Sequence, residues 1–568
     1  MRRVLTLAFV AAAIALLSIG AGGAVAAGPA AAIQGDTPAS ATAAECDAGA
    51  GTDLVGCWNG THYEDDLSFN QTDGLTESEV TALTHLTMAR VEHVRERPFR
   101  GDVPVETVTR SEFMNDSASG GAGGSDAEFQ RWNDQVWKAL FVVGEDENAS
   151  DAIDTVYGGA VTGFYSPNEG QIVLVVPEGE DPQIDPSTLA HELVHAMQDQ
   201  YHDLTSPRYV GATQDADLAA SGIIEGEAVH IEEVYDARCA ANWSCLGSPD
   251  SGGGSASASD YNFGILQTVL QPYADGAFYV EALVDEGGWS AVNETMNAPP
   301  NATSEVIHRE SDYRTSEVTF EDTATGGWET YPDQGVDGAE TAGEASMFVM
   351  FWYQSWEYDH AVLDPDATAR ENVRIHTRPD EQLRTRMNYN YAHPATEGWA
   401  GDELYPYRNN RSTADGEDGY VWVTEWQTPA DATEFRETYL RMLTAHGGDD
   451  YAAGEVYEIA DGDFRGAYGV ERDGTTVTIV HAPEPADVLD LRPGSDLALP
   501  STDGGGDANG TDEDGVDDGT DRGDADGTND GSAAPDAATD DGVPGFGPLV
   551  ALVALLAAVS LVARRARR

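Results

Sequence analysis

The residues best suited to chemistry lie in one run, Asp185-Pro186-Ser187-Thr188-Leu189-Ala190-His191-Glu192-Leu193-Val194-His195-Ala196-Met197. Its spacing predicts a helix. Asp185 can accept the first free amide protons, Pro186 suits the first helical position, and no breaker follows until well past His195. Helical residues four apart share a face, so His191 and His195 can offer two imidazole nitrogens to one Zn2+. Glu192, rotated about 100° from His191, leans over the same point, where it can hold a metal-bound water as general base. His-Glu-x-x-His thus supplies two ligands and a base, and a zinc site needs a third protein ligand.

That ligand has to come from an element laid against the first. Residues 216–231 read as a second helix that can return antiparallel after the polar loop 205–215. It carries Glu225 and Glu227, which a helix points about 200° apart, so one of them at most faces the metal. Here the sequence resembles the gluzincin metallopeptidases, in which a Glu on a second helix, often just before a Gly, completes a His2Glu site. The resemblance implies His191, His195 and Glu225 as metal ligands, with Glu227 as runner-up, Glu192 as the catalytic base and a peptide or protein as substrate. The longer pattern HExxHxxGxxH fails, because Gln198 replaces its glycine and Tyr201 its last histidine. His202, Tyr209 and His230 are candidates for stabilising an oxyanion.

Upstream, residues 161–176 read as a β-hairpin turning at Pro167-Asn168-Glu169-Gly170; an edge strand there could hold an extended peptide by main-chain pairing. Downstream, residues 262–284 read as a helical hairpin broken near Gln271-Pro272. The stretch 161–313 resembles a group of secreted zincin-like proteins, and the role of His308 within it is open.

Residues 1–27 have the form of a secretory signal: Arg2 and Arg3, an apolar run, then Ala24-Val25-Ala26. For an exported chain, an even cysteine count suggests disulfides, and the two close pairs favour Cys46 with Cys57 and Cys239 with Cys245. Sequons such as Asn59 and Asn301 fit a surface glycoprotein. The net charge is −70, with 100 acidic residues against 30 Lys and Arg, and Lys138 is the only lysine. Such a surface repels nucleic acid and anionic lipid. Its self-repulsion is relieved in molar salt, where the Debye length is about 3 Å, and the composition resembles that of extreme halophiles.

Helices are expected over 76–97, with Thr76 and Glu79 as a capping box, and over 128–142. Farther on, a helix over 342–356, a strand over 420–426, a helix over 429–443 and a hairpin over 464–481 suggest an α+β module. Residues 501–541 are too poor in apolar side chains to fold. Beyond them come Pro544-Gly545-Phe546, an apolar stretch and a basic end, which resemble the PGF-type sorting signals of haloarchaeal surface proteins.

The chain therefore divides into a signal peptide (1–27), a mainly helical region (28–150), a zincin-like catalytic domain (151–340), a C-terminal α+β module (341–500), an acidic spacer (501–541) and a sorting or transmembrane segment (542–568). The expected class is α+β, with a zincin-like core of a β-hairpin or sheet, the HExxH helix and a second glutamate-bearing helix. The expected function is that of a zinc-dependent metallopeptidase, exported to the cell surface and held at the membrane by its C-terminus. The alternative is a non-catalytic surface glycoprotein whose metal site is structural or binds a partner.

Overall fold

The computed structural model describes residues 54–113, 127–160, 163–176, 182–248, 261–309, 313–372, 389–409, 417–448 and 456–499, with Thr42, Ala43 and Cys46. The signal peptide, the stretches 117–125 and 251–259, the acidic spacer and the C-terminal signal lie outside those residues.

Both expected disulfides are present, Cys46–Cys57 and Cys239–Cys245. The first ties down a short antiparallel ladder of β1 (Cys57–Trp58) and β2 (Thr61–His62). Helix α1 (Glu77–Arg95) starts at the expected capping box, where the Thr76 N–H donates to Glu79 Oε2 at 2.9 Å. After it, β3 (Val105–Thr109) leads to α2 (Ala127–Ala139) and α3 (Ala149–Ala160). The hairpin forms as β4 (Gly163–Ser166) and β5 (Gln171–Val176), turning at residues 167–170. It joins a three-stranded sheet in the order β3-β5-β4, with β3 parallel to β5. All four residues of the edge strand β4 are buried, whereas Glu106 and Thr107 leave the opposite edge, β3, exposed.

Helix α4 (Pro186–His202) carries the His-Glu-x-x-His run. Asp185 Oδ1 accepts from the N–H groups of Ser187 (2.9 Å) and Thr188 (3.0 Å), a cap of the kind that contributes about 1 kcal/mol. Leu189, Leu193 and Val194 are no more than 1 % exposed, and each such side chain adds about 1.5–3 kcal/mol of burial. After a 3-10 turn at Pro207–Tyr209 comes α5 (Gln214–Ala241), capped by the Thr213 hydroxyl. Helix α6 (Phe263–Asn297) and the short α7 (Thr303–His308) follow.

The expected break at Gln271-Pro272 does not occur. Pro272 lies inside α6, and the helical run bends instead at Gly288, which adopts φ 63° and ψ −164°. An internal proline costs about 3 kcal/mol. Here the segment from Gly264 to Val280 is buried almost without interruption, and that packing outweighs the penalty.

The C-terminal part is α+β as expected. A six-stranded antiparallel sheet runs β6-β7-β8-β11-β10-β9, built from β6 (Trp328–Thr330), β7 (Trp399–Asn409), β8 (Glu417–Trp426), β9 (Val456–Ile459), β10 (Gly466–Asp473) and β11 (Thr476–Ala482). Helices α8 (Gly343–Glu357), α9 (Pro429–Ala445) and α10 (Pro485–Leu491) accompany it. One apolar core joins α2, α6, α8, α9 and this sheet, and a second joins α1, the three-stranded sheet, α4 and α5. The architecture is mixed α+β with several sheets.

Candidate metal centre

Helices α4 and α5 run antiparallel: His191 meets Glu232, His195 meets Glu225, and Gln198 meets Ile224. A third helix, α6, presses on α5 through glycine. A Cβ on Gly226 would stand 2.2 Å from the Gly276 carbonyl oxygen, and one on Gly276 would stand 2.4 Å from that of Gly222. Small residues on both faces let the two backbones touch. The glycine after Glu225 is therefore a packing requirement, and the glutamate beside it is held in a fixed position.

His191, His195 and Glu225 come together, each offering a ligand atom within 4.8 Å of the others. His191 Nε2 is 3.3 Å and His195 Nε2 3.4 Å from Glu225 Oε2. Nitrogen and oxygen donors around a tetrahedral zinc with bonds of about 2.0–2.1 Å stand about 3.3 Å apart, so the spacing suits that ion. Among the described residues, buried His195 Nε2 has no hydrogen-bond partner. Glu192 is 0 % exposed, and its charge helps hold a proton on His191.

Two residues that the sequence reading did not single out orient the histidines. Glu232 accepts from His191 Nδ1 at 3.1 Å, and Gln198 Oε1 from His195 Nδ1 at 2.9 Å. Such outer partners fix the imidazole tautomer and aim the other nitrogen. The signals were there to read: Glu232 is seven residues after Glu225 and so on the same face of its helix, and Gln198 is three after His195. Tyr273, from α6, lies parallel to His191 with ring centroids 6.2 Å apart.

Electrostatics follow from these contacts. Burial alone would lower His191, but its hydrogen bonds to Glu225 and Glu232 prevail and hold it at about 10. Burial would raise Glu225, but the charge of His195 and the hydrogen bond from His191 hold it at about 2. Without a metal the group is an imidazolium–carboxylate pair, and a bound cation would take the place of the His191 proton on Nε2.

Glu227 points away from the histidines, as the angle between it and Glu225 requires. It is ion-paired with Arg95 and accepts from Gln198 Nε2 at 2.9 Å. The three oxyanion candidates all have other partners. The Tyr209 hydroxyl donates to the Met296 carbonyl at 2.7 Å, His202 sits between Arg97 and Asn297, and His230 packs edge-on to Trp289. His308 pairs with the buried Glu344, Nε2 to Oε1 at 2.9 Å.

Two family models match the chain. One, described as a domain of unknown function (DUF8575), covers residues 305–492, which hold the six-stranded sheet and α8 to α10; the His/Glu cluster lies outside it. The other is the PGF-CTERM motif, at residues 543–565. No curated protein and no solved structure matches the chain. No helix among the described residues is long and apolar enough to cross a membrane. The C-terminal motif is a sorting signal of haloarchaeal type, and it makes this an exported surface protein held at the membrane by its C-terminus.

Proposed function

We propose that the protein is a zinc-dependent peptidase of gluzincin type acting at the cell surface, with a zincin-like core formed by α4, α5 and the three-stranded sheet. The observation that carries this reading is the convergence of His191, His195 and Glu225 at donor separations of 3.3 and 3.4 Å with Glu192 buried beside them. A purely structural zinc site has no use for that fourth, proton-accepting group. Zinc, when bound, supplies Lewis acidity toward water and the scissile carbonyl. The chain's own residues do the rest. Glu232 and Gln198 keep the two imidazoles aimed at the ion. Glu192 takes the proton of the attacking water and returns it to the departing amine nitrogen, so that one water and one peptide bond become a carboxylate and an amine.

One observation favours the alternative, a non-catalytic metal site. His191, Glu192, His195 and Glu225 are each no more than 2 % exposed, an enclosure that suits a structural ion. Glu192→Gln separates the two readings, since it keeps size and most hydrogen bonding but cannot accept the proton. In concentrated salt with a mixed peptide library, the wild type should create new termini, and the variant should keep its zinc while losing activity by a factor on the order of a hundred or more. A zinc-loaded wild type that produces no termini beyond those of the variant would establish the non-catalytic reading.

A further inference from the structure

We infer that Glu227 is a positioning residue for His195, acting through the Gln198 amide and itself clamped by Arg95 from the N-terminal helix. The inference rests on the proposed metal centre and adds to it a line of four residues that sets the aim of one ligand.

The argument is one of donors and acceptors. Gln198 Nε2 lies 2.9 Å from the Ile224 carbonyl oxygen and 2.9 Å from Glu227 Oε2. Both are acceptors with no proton to give, so the NH2 end of the amide has to face them. That leaves Gln198 Oε1 toward His195 Nδ1, 2.9 Å away. An amide oxygen can only accept, so Nδ1 carries a proton, and in the neutral ring that a metal ligand requires the lone pair is on Nε2, the nitrogen beside Glu225. Without Glu227, the amide would keep one constraint in place of two, and a turned amide would present NH2 to His195 and reverse its tautomer.

Glu227 cannot swing away. Its other oxygen is bound by Arg95 Nε, Arg95 Nη2 donates to Asn293 Oδ1 at 2.7 Å, and the guanidinium lies 4.3 Å above the Trp289 ring. Arg95 and Glu227 side chains are 2 % and 3 % exposed. A buried ion pair seldom stabilises a fold more than apolar residues of the same volume would. Fixing the amide gives this one a further role, since α1 and α6 both reach the ligand through it.

The test is a double-mutant cycle with Gln198→Met, Glu227→Gln and the pair, in the full chain in concentrated salt. Zinc affinity is read by competition with a chromophoric chelator, and circular dichroism checks the fold. Gln198→Met should weaken zinc by about 10–100-fold, the range typical for loss of a partner to a ligating histidine. Glu227→Gln should weaken it less, and the pair should be no weaker than Gln198→Met alone. Nitrogen NMR of 15N-histidine-labelled, metal-free protein, at a pH where the imidazole is neutral, supplies a second readout. His195 should carry its proton on Nδ1 in the wild type and populate both tautomers in either variant. Losses that add in full, no loss in either single variant, or a wild-type His195 protonated on Nε2 would each overturn the inference. If the wild type takes up no zinc, the metal reading fails, and the tautomer measurement still decides whether Glu227 positions His195.

Discussion

Replacing Gly226 with alanine should unseat α6 from α5. The new Cβ would stand 2.2 Å from the Gly276 carbonyl oxygen, 2.3 Å from its carbonyl carbon and 2.9 Å from its Cα, all of them main-chain atoms of α6. Restoring ordinary contact requires the helices to part by about 1 Å, and no rotamer change can supply that. Overpacking a core costs about 1–3 kcal/mol, whereas the better helix propensity of alanine returns about 1 kcal/mol. Because backbone opposes backbone, the cost belongs at the top of its range, and the net loss should be about 2 kcal/mol or more. Gly222→Ala is the internal control. Its Cβ meets first the Val306 side chain, at 2.9, 3.1 and 3.5 Å, with no main-chain atom among these nearest contacts, so the loss should be smaller than at Gly226. Thermal unfolding in concentrated salt reads the difference, and zinc retention reads the effect on the neighbouring Glu225. A Gly226→Ala protein as stable as the wild type, or less affected than Gly222→Ala, would refute the reasoning.

The other predictions concern metal and pH. Glu225→Ala removes a donor atom and should strip zinc on dialysis in high salt, measured by metal analysis, whereas Glu227→Gln should retain most of it; equal retention in both would remove Glu225 from the ligand set. Asp215 is buried at the start of α5, and desolvation raises it to about 7 despite hydrogen bonds from Thr303. The folded state therefore keeps a proton that the unfolded chain has lost; the resulting stability is full below the ordinary value of 3.8 and disappears as pH rises through about 7. Denaturation from pH 5 to 8 should show Asp215→Asn losing this slope and gaining on the wild type as pH rises; parallel curves would refute the assignment.

Much of this arrangement could be read from local chemistry. The Asp185 cap, the Thr76 and Glu79 box, the hairpin turn at residues 167–170 and the separation of Glu225 from Glu227 are matters of helix and strand period, and each appears where the sequence places it. Pro272 departs from its local expectation because its penalty is local while the packing that absorbs it comes from distant elements. Arg95 meets Glu227 across 132 residues and Tyr273 reaches His191 from a third helix, contacts that no spacing rule encodes. Glu232 and Gln198 could have been found, since both lie at helical intervals from residues already named.

The enclosure of the His/Glu cluster sets a rate law for anything that enters or leaves it. With side chains no more than 2 % exposed, an ion cannot be drawn out by direct attack of a chelator; part of the protein has to open first. When reclosing is slower than capture, exchange runs at the opening rate and does not quicken with more chelator. The opening elements would be α4, α5 and α6, the last two packed through Gly226 and Gly276, which admit no side chain. For an exported chain, occupancy of the cluster would then record the ions present when those helices closed, and later changes in the surroundings would be followed only slowly.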